Sequence, residues 1–257
     1  MKLKRGESMK LEEIVQFLDD YLKVSEFQDD SWNGLQVEGP EEVEVIATAV
    51  DASFRTFERA REWRAQLLLV HHGLFWGKPF PLVGVDFSRI EALIKNGIGL
   101  YACHLPLDAH PEVGNNALLS GMLNLKNIEP FGYYKGTRIG CAGILPQPLT
   151  LDEIKENLEE KLKNKIEVWG FGKKEIRSVA IISGEAGSIM KEGLGKYDLL
   201  ITGGAGLSLF RLVEDASQSI LFAGHYATET LGIKALGELL ASKFSLKHTF
   251  LDLPSPY

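Results

Sequence analysis

The chain has 257 residues, 45% hydrophobic and 25% charged, a globular mixture with enough apolar material for one large core or two modest ones, and no reason to expect disorder. Its 35 acids against 28 bases give a net charge of -7, which disfavours a generic nucleic-acid or anionic-membrane binder, since those need a dominant basic surface. Cys103 and Cys141 form no CxxC, the basic start MKLKRGESMK leads into no apolar stretch, and no run approaches the ~20 apolar residues of a membrane span, so a cytoplasmic, reducing setting is expected.

In chain order, Leu11, Ile14, Val15, Leu18, Tyr21 and Leu22 recur at helical spacing and predict a helix over residues 10 to 24. SWNGLQVEGP (31 to 40) reads as a loop, and VEVIATAV (43 to 50) as a buried strand. A helix then follows behind the candidate caps Asp51 and Ser53. QLLLV (66 to 70), a Gly-rich loop, a helix ending at Asn96-Gly97 and IGLYAC (98 to 103) continue an alternation of strand and helix that predicts a largely parallel sheet. After a helix near 112 to 123, the turn-rich NIEPFGYYKGTRIG (127 to 140) crosses into a new series of elements, which places the junction around 126 to 135, between an N-terminal α/β domain, 1 to 130, and a C-terminal α/β domain, 131 to 257.

The second domain opens with the strand RIGCAGIL (138 to 145). Thr150 with Glu153 fits a capping box for the helix that follows. Strands are expected near 177 to 183, 198 to 202 and 218 to 223, then a helix over 228 to 243 and a final strand, KHTFLDL (247 to 253). The halves echo each other: LLVHHG resembles LLITGG, VIATAVDASF resembles VAIISGEAGS, and His104 to Asp108 matches His225 to Glu229. Duplication and the common grammar of α/β units explain these echoes equally well.

Of six histidines, His71, His72, His104 and His225 lie at the carboxyl ends of predicted strands, where α/β sheets usually bind ligands. Imidazoles and carboxylates suit borderline divalent ions such as Zn, Fe, Mn, Co or Ni, and the scarcity of cysteine argues against a thiolate site. Neighbouring side chains on an extended strand point apart, so His71 and His72 are better placed for two ions than for one. Asp108 and Glu229 each follow a histidine at i+4, and five or six N/O donors suit two ions. His110 and His248 read as ordinary surface or loop histidines, Cys103 as a buried apolar residue, and Trp32, Phe75 and Trp76 as packing beside the site or a platform for a base.

WNGLQVEG, AVDAS, LLLVHHGLFW, YACHLPLDAHPEVGNN and AGHYATETLGIKAL together resemble the YbgI-like dinuclear metal-centre family, which includes the NGG-one-interacting-factor homologues and proteins called GTP cyclohydrolase type-one type-two homologues. The resemblance spans essentially the whole chain. It implies a two-domain α/β protomer in a toroidal homohexamer, with two metal ions per subunit in the inter-domain cleft. Carried over by position, His71 and His72 would bind one metal each, Asp108 would join one of them, His225 would bind the other and Glu229 would bridge. His104 falls beside the site, as a residue that supports the ligands or transfers a proton and not as a direct ligand, and Gly114 and Asn116 match a turn that starts a helix. Thr202-Gly203-Gly204 departs from the acidic residue that the family commonly carries there, and the large middle insertion of longer members is missing, so no extra regulatory module is expected.

Such a centre suits hydrolysis by an acidified water, with a phosphoester, a cyclic amide or a purine imidazole ring as chemically suitable targets. No phosphate loop or dinucleotide fingerprint is present, so a nucleotide substrate rests on the family's name alone. The alternatives are a metal-handling protein without catalysis and a ring-shaped scaffold. The acidic balance counts against a nucleic-acid strand as the scaffold's partner unless the Lys2, Lys4, Arg5 and Lys10 tail forms a local basic patch.

Overall fold

The computed structural model describes residues 8 to 255. Its elements in chain order are β1 (Met9–Lys10), α1 (Leu11–Tyr21), β2 (Gly34–Val37), β3 (Glu42–Val43), β4 (Val45–Asp51), α2 (Phe54–Glu62), β5 (Leu67–His72), α3 (Gly84–Asn96), β6 (Gly99–Ala102), α4 (Leu105–Asp108) and α5 (Asn115–Met122). There follow β7 (Lys126–Tyr134), β8 (Thr137–Thr150), α6 (Leu151–Leu162), β9 (Glu167–Gly170), β10 (Glu175–Glu185), β11 (Leu199–Gly204), α7 (Phe210–Asp215), β12 (Ser219–Phe222), α8 (His225–Phe244) and β13 (Lys247–Phe250). The chain forms two compact units, Met1–Leu107 with Gly232–Leu253, and Asp108–Leu231 with Pro254–Tyr257. Both are α/β, one with a mainly parallel sheet and one with a mixed sheet.

In the first unit the sheet order is β13-β4-β5-β6-β2, parallel except for β2, which runs antiparallel along the β6 edge. Strands β4, β5 and β6 are continuous apolar runs because the interior of a parallel sheet is covered on both faces. Their side chains join Phe57, Leu93 and Leu251 in one core. The segment expected as a loop at 31 to 40 contributes β2, whose Gln36 side chain accepts from the Leu74 amide at 2.7 Å and donates to the Trp32 carbonyl at 2.7 Å. Of the two candidate caps of α2, Ser53 serves, its Oγ accepting from Thr56 N at 3.2 Å, while Asp51 ends β4; Gly97, at φ 61°, closes α3 in the left-handed region.

In the second unit the order is β7-β8-β10-β11-β12-β9, with β10-β11-β12 parallel and the outer pairs antiparallel. Its core gathers Ile154, Leu158, Val179, Ile201 and Leu221. The turn-rich stretch at 127 to 140 forms most of a hairpin, β7 to β8, and not a linker. Pro130 is tolerated because β7 is an edge strand, and the register shift between Lys126 and Glu129 disguises its alternation. Thr150 forms the predicted capping box with Glu153.

Candidate functional site

At the carboxyl end of β5 the first unit gathers three histidines. The ring centroids of His71 and His72 lie 4.8 Å apart, those of His71 and His104 5.1 Å, and those of His72 and His104 5.7 Å. One ring nitrogen from each lies within 4.8 Å of the other two, close enough for imidazoles that hold a metal ion. The alternation of His71 and His72 survives in how they are braced. Nδ1 of the fully buried His71 reaches toward β6, to the Cys103 carbonyl at 2.9 Å, while Nδ1 of His72 reaches toward β4, to Asp51 Oδ1 at 2.8 Å. Nδ1 of His104 meets Asp29 Oδ1 and Oδ2 at 3.0 and 3.1 Å.

Carbonyl and ionised carboxylate oxygens only accept, so each of these rings carries a proton on Nδ1, and in its neutral form it keeps the lone pair on Nε2. That is how proteins prepare histidines for metal ions. Asp29 itself sits on a loop tied down by its own carboxylate, which accepts from Ser31 N at 3.1 Å, Asn33 Nδ2 at 3.0 Å and Leu105 N at 3.1 Å. Burial would raise its pKa, but the His104 hydrogen bond and charge, with Asn33 and the Ser31 amide, lower it to about 2. Trp76 walls the group, with its ring 5.0 Å from His104 and 5.9 Å from His72, and Trp32 stacks on Phe75 at 5.7 Å.

The second unit holds Asp108, His225 and Glu229 at the start or end of helices. His225 Nε2 and Glu229 Oε1 are 3.1 Å apart on one face of α8, as i+4 spacing requires. Asp108 Oδ1 accepts from Asn115 Nδ2 and from Ser183 Oγ, both at 2.8 Å. Asn116 does more than start a helix: its amide donates to the Asp108 and Ile139 carbonyls and accepts from Ser183 N, stitching α4, β8 and β10 together. Glycines let α8 approach the strand ends. A Cβ on Gly184, at φ +63°, would lie 2.3 Å from Glu229 Oε1, and one on Gly203 would lie 2.8 Å from the His225 Cα. Thr202 is fully buried and donates from Oγ1 to the Gly184 carbonyl at 3.0 Å, so its work is to hold this turn.

Beside these donors the second unit has an open cavity of about 540 Å³ lined by His225, Glu185, Lys165, Glu167, Trp169 and Phe222, among others. The size suits a small molecule. The family model of Duf34/NIF3 (NGG1p interacting factor 3) matches residues 9–256. The chain belongs to the Duf34/NIF3 family. A Duf34/NIF3 relative from Pyrococcus abyssi (strain GE5 / Orsay), named GTP cyclohydrolase 1 type 2 homolog, is 48% identical over 248 residues, covering 96% of this chain and 99% of that protein. Among solved structures, TTHA1606 from Thermus thermophilus superimposes with a TM-score of 0.87 at 39% identity, covering 97% of this chain and 100% of that one. The protein ybgI superimposes with a TM-score of 0.90 at 34% identity, with the same coverage.

Several residues of this Duf34/NIF3 chain that shape the site escape a reading by residue type. Asp29, Asp51, Asn115 and Ser183 carry no spacing signal, and the role of Cys103 lies in its carbonyl and not its thiol. His248 is not a loop histidine. It lies in β13, against Gly237 of α8, with Nε2 2.8 Å from Thr48 Oγ1. His110 caps a turn, its Nδ1 accepting from Glu112 N and Val113 N at 3.2 Å each. Lys2, Lys4 and Arg5 lie outside the described residues, and Lys10 is 3.9 Å from Glu41. No helix among the described residues is long and apolar enough to cross a membrane.

Proposed function

We propose that the protein is a dinuclear-metal-dependent hydrolase of a small, nucleotide-related molecule, working in the cytoplasm as a homohexamer. His71, His72, Asp108, His225 and Glu229 hold the two ions, and His104 beside them moves a proton. The observation that carries the reading is the Nδ1 bracing of His71 and His72 by the Cys103 carbonyl and Asp51, with ring nitrogens of both and of His104 within 4.8 Å of one another. Imidazole nitrogens and carboxylate oxygens without thiolates fit Zn, Fe, Mn, Co or Ni. When bound, two such ions supply Lewis acidity, lowering the pKa of water and offsetting the negative charge that develops in hydrolysis.

Asp51 and the Cys103 carbonyl orient two of the donors, Asn115 and Ser183 orient the third, and Gly184 and Gly203 allow the turn that presents His225 and Glu229. The reading requires the donor sets of the two units to converge on the same ions. The cavity beside His225, with the aromatic rings of Trp169 and Phe222 and the charges of Lys165 and Glu185, supports a planar substrate that also carries charge. The name GTP cyclohydrolase 1 type 2 homolog borne by relatives supports a nucleotide. Exposed Val83, Val85, Phe87 and Ile94, on α3 and just before it, support an assembly that covers them.

The deciding experiment is metal content per protomer of tag-free protein, followed by a screen of GTP and phosphoesters on the same sample. Two ions per chain and turnover abolished by chelation are expected. Two ions with no turnover on any substrate would leave a metal-handling protein in place of the hydrolase, and no ions would overturn both.

A further inference from the structure

We propose that Asp29 is the positioning residue for His104: its carboxylate accepts the Nδ1 proton and fixes the ring's tautomer, so that Nε2 keeps the lone pair that takes a proton from water. The inference rests on the hydrolase reading for its purpose but not for its geometry. Asp29 lies 75 residues from His104 in sequence, yet both its oxygens fall within 3.1 Å of Nδ1. Its side chain is only 3% exposed against 21% for the histidine, so the acid is the buried anchor and the imidazole the accessible working end.

The backbone is fixed with equal care. His104 N donates to Asn33 Oδ1 at 2.7 Å, and the next amide, Leu105 N, donates to Asp29 Oδ2 at 3.1 Å, so the ring and the chain that carries it are held by one loop. The contrast with His72 is informative. Its partner Asp51 is 45% exposed, whereas the Asp29 charge is sheltered from water, and a sheltered carboxylate stabilises an imidazolium more strongly. In the reaction one water O–H bond breaks: the proton goes to His104 Nε2, and the electron pair left on oxygen forms the bond to the substrate's electrophilic atom. The proton then passes from Nε2 to the departing group, which returns His104 to its starting tautomer. Through both transfers the Nδ1 proton stays on the ring, hydrogen-bonded to Asp29.

The test is solid-state nitrogen NMR of the zinc-loaded full chain labelled in its histidines, with the His104 signals assigned by their loss in His104→Gln. In the wild type His104 should carry its proton on Nδ1. In Asp29→Asn, whose amide can donate to Nδ1, a substantial population should shift to the Nε2–H tautomer, while Asp29→Glu should keep the original form. If a substrate is known from the screen, Asp29→Asn should lower kcat by roughly 100-fold or more with KM little changed. Retention of Nδ1–H in Asp29→Asn, with zinc content and fold intact, would overturn the proposal. If Asp29→Asn fails to fold, Asp29→Glu still decides: a shift of its tautomer to Nε2–H overturns the proposal, and retention with kcat within a few-fold of wild type supports it. Absence of turnover in the wild type would count against the hydrolase reading alone, because the tautomer is read without substrate.

Discussion

Asp51 serves His72, accepting its Nδ1 proton at 2.8 Å, and it is exposed enough to be replaced without a packing defect. Asp51→Asn should therefore leave the fold intact and weaken metal binding about 10- to 100-fold, read by competition with a chromogenic chelator. Unchanged affinity would remove His72 from the ligand set. At this scale the candidate donors were legible, since histidines at strand ends with an acid four residues on are rare enough to notice. Their braces were not. Asp29 reaches His104 across 75 positions and Asn116 reaches Ser183 across 67, and no local pattern marks such pairs. Gly184 and Gly203 read as strand-end glycines, and only the approach of α8 shows why a Cβ is excluded there.

Among elements, the start of β10 and the entry to β11 are joined by Asp198. Its Oδ2 accepts from the Arg177 and Ser178 amides at 3.0 and 2.9 Å and from Ser178 Oγ at 3.0 Å, and Lys173 Nζ reaches Oδ1 at 2.7 Å. Burial alone would raise this carboxyl, but the Lys173 bond and the two backbone amides outweigh it and lower the pKa to about 2. A pKa depressed by folding adds stability above the ordinary value of 3.8, and that stability is lost as pH falls from there toward about 2. Asp198→Asn should cost about 1 kcal/mol near neutral pH, after solvent screening of the lysine, and should flatten the acid limb of stability in that window. Urea unfolding followed by tryptophan fluorescence at several pH values checks it, and an unchanged acid limb would show that the network is not coupled to stability. Elements with regular patterns, such as α6 with its capping box, were legible. The β7–β8 hairpin was not, because Pro130, Gly132 and Gly136 give the turn signals of a linker inside what is an edge strand and its turn.

For the whole molecule, the chain returns to its beginning. Strand β13 pairs with β4 from Lys247 opposite Val45 to Phe250 opposite Thr48, and Leu246 and Leu251 are buried on either side of it. The first unit is thus closed by residues from both ends of the sequence. Removing residues 245 to 257 should destabilise that unit by roughly 3–6 kcal/mol, counting the two leucines alone. Hydrogen exchange should report it as faster exchange across β4 and β5. Unchanged protection there would mean that β13 is an ornament of the sheet.

The sequence by itself determined the α/β class and the family resemblance, and it singled out the candidate donor residues. These depend on local periodicity, strand-end position and residue chemistry, all of which lie within a few positions of one another. Tertiary structure alone decided which strand lies beside which, which oxygen braces which imidazole, and where a glycine must yield to a neighbouring helix. Those contacts join residues tens to hundreds of positions apart, as in the 200-residue span from Thr48 to His248, and they exist only once burial has brought the strands together.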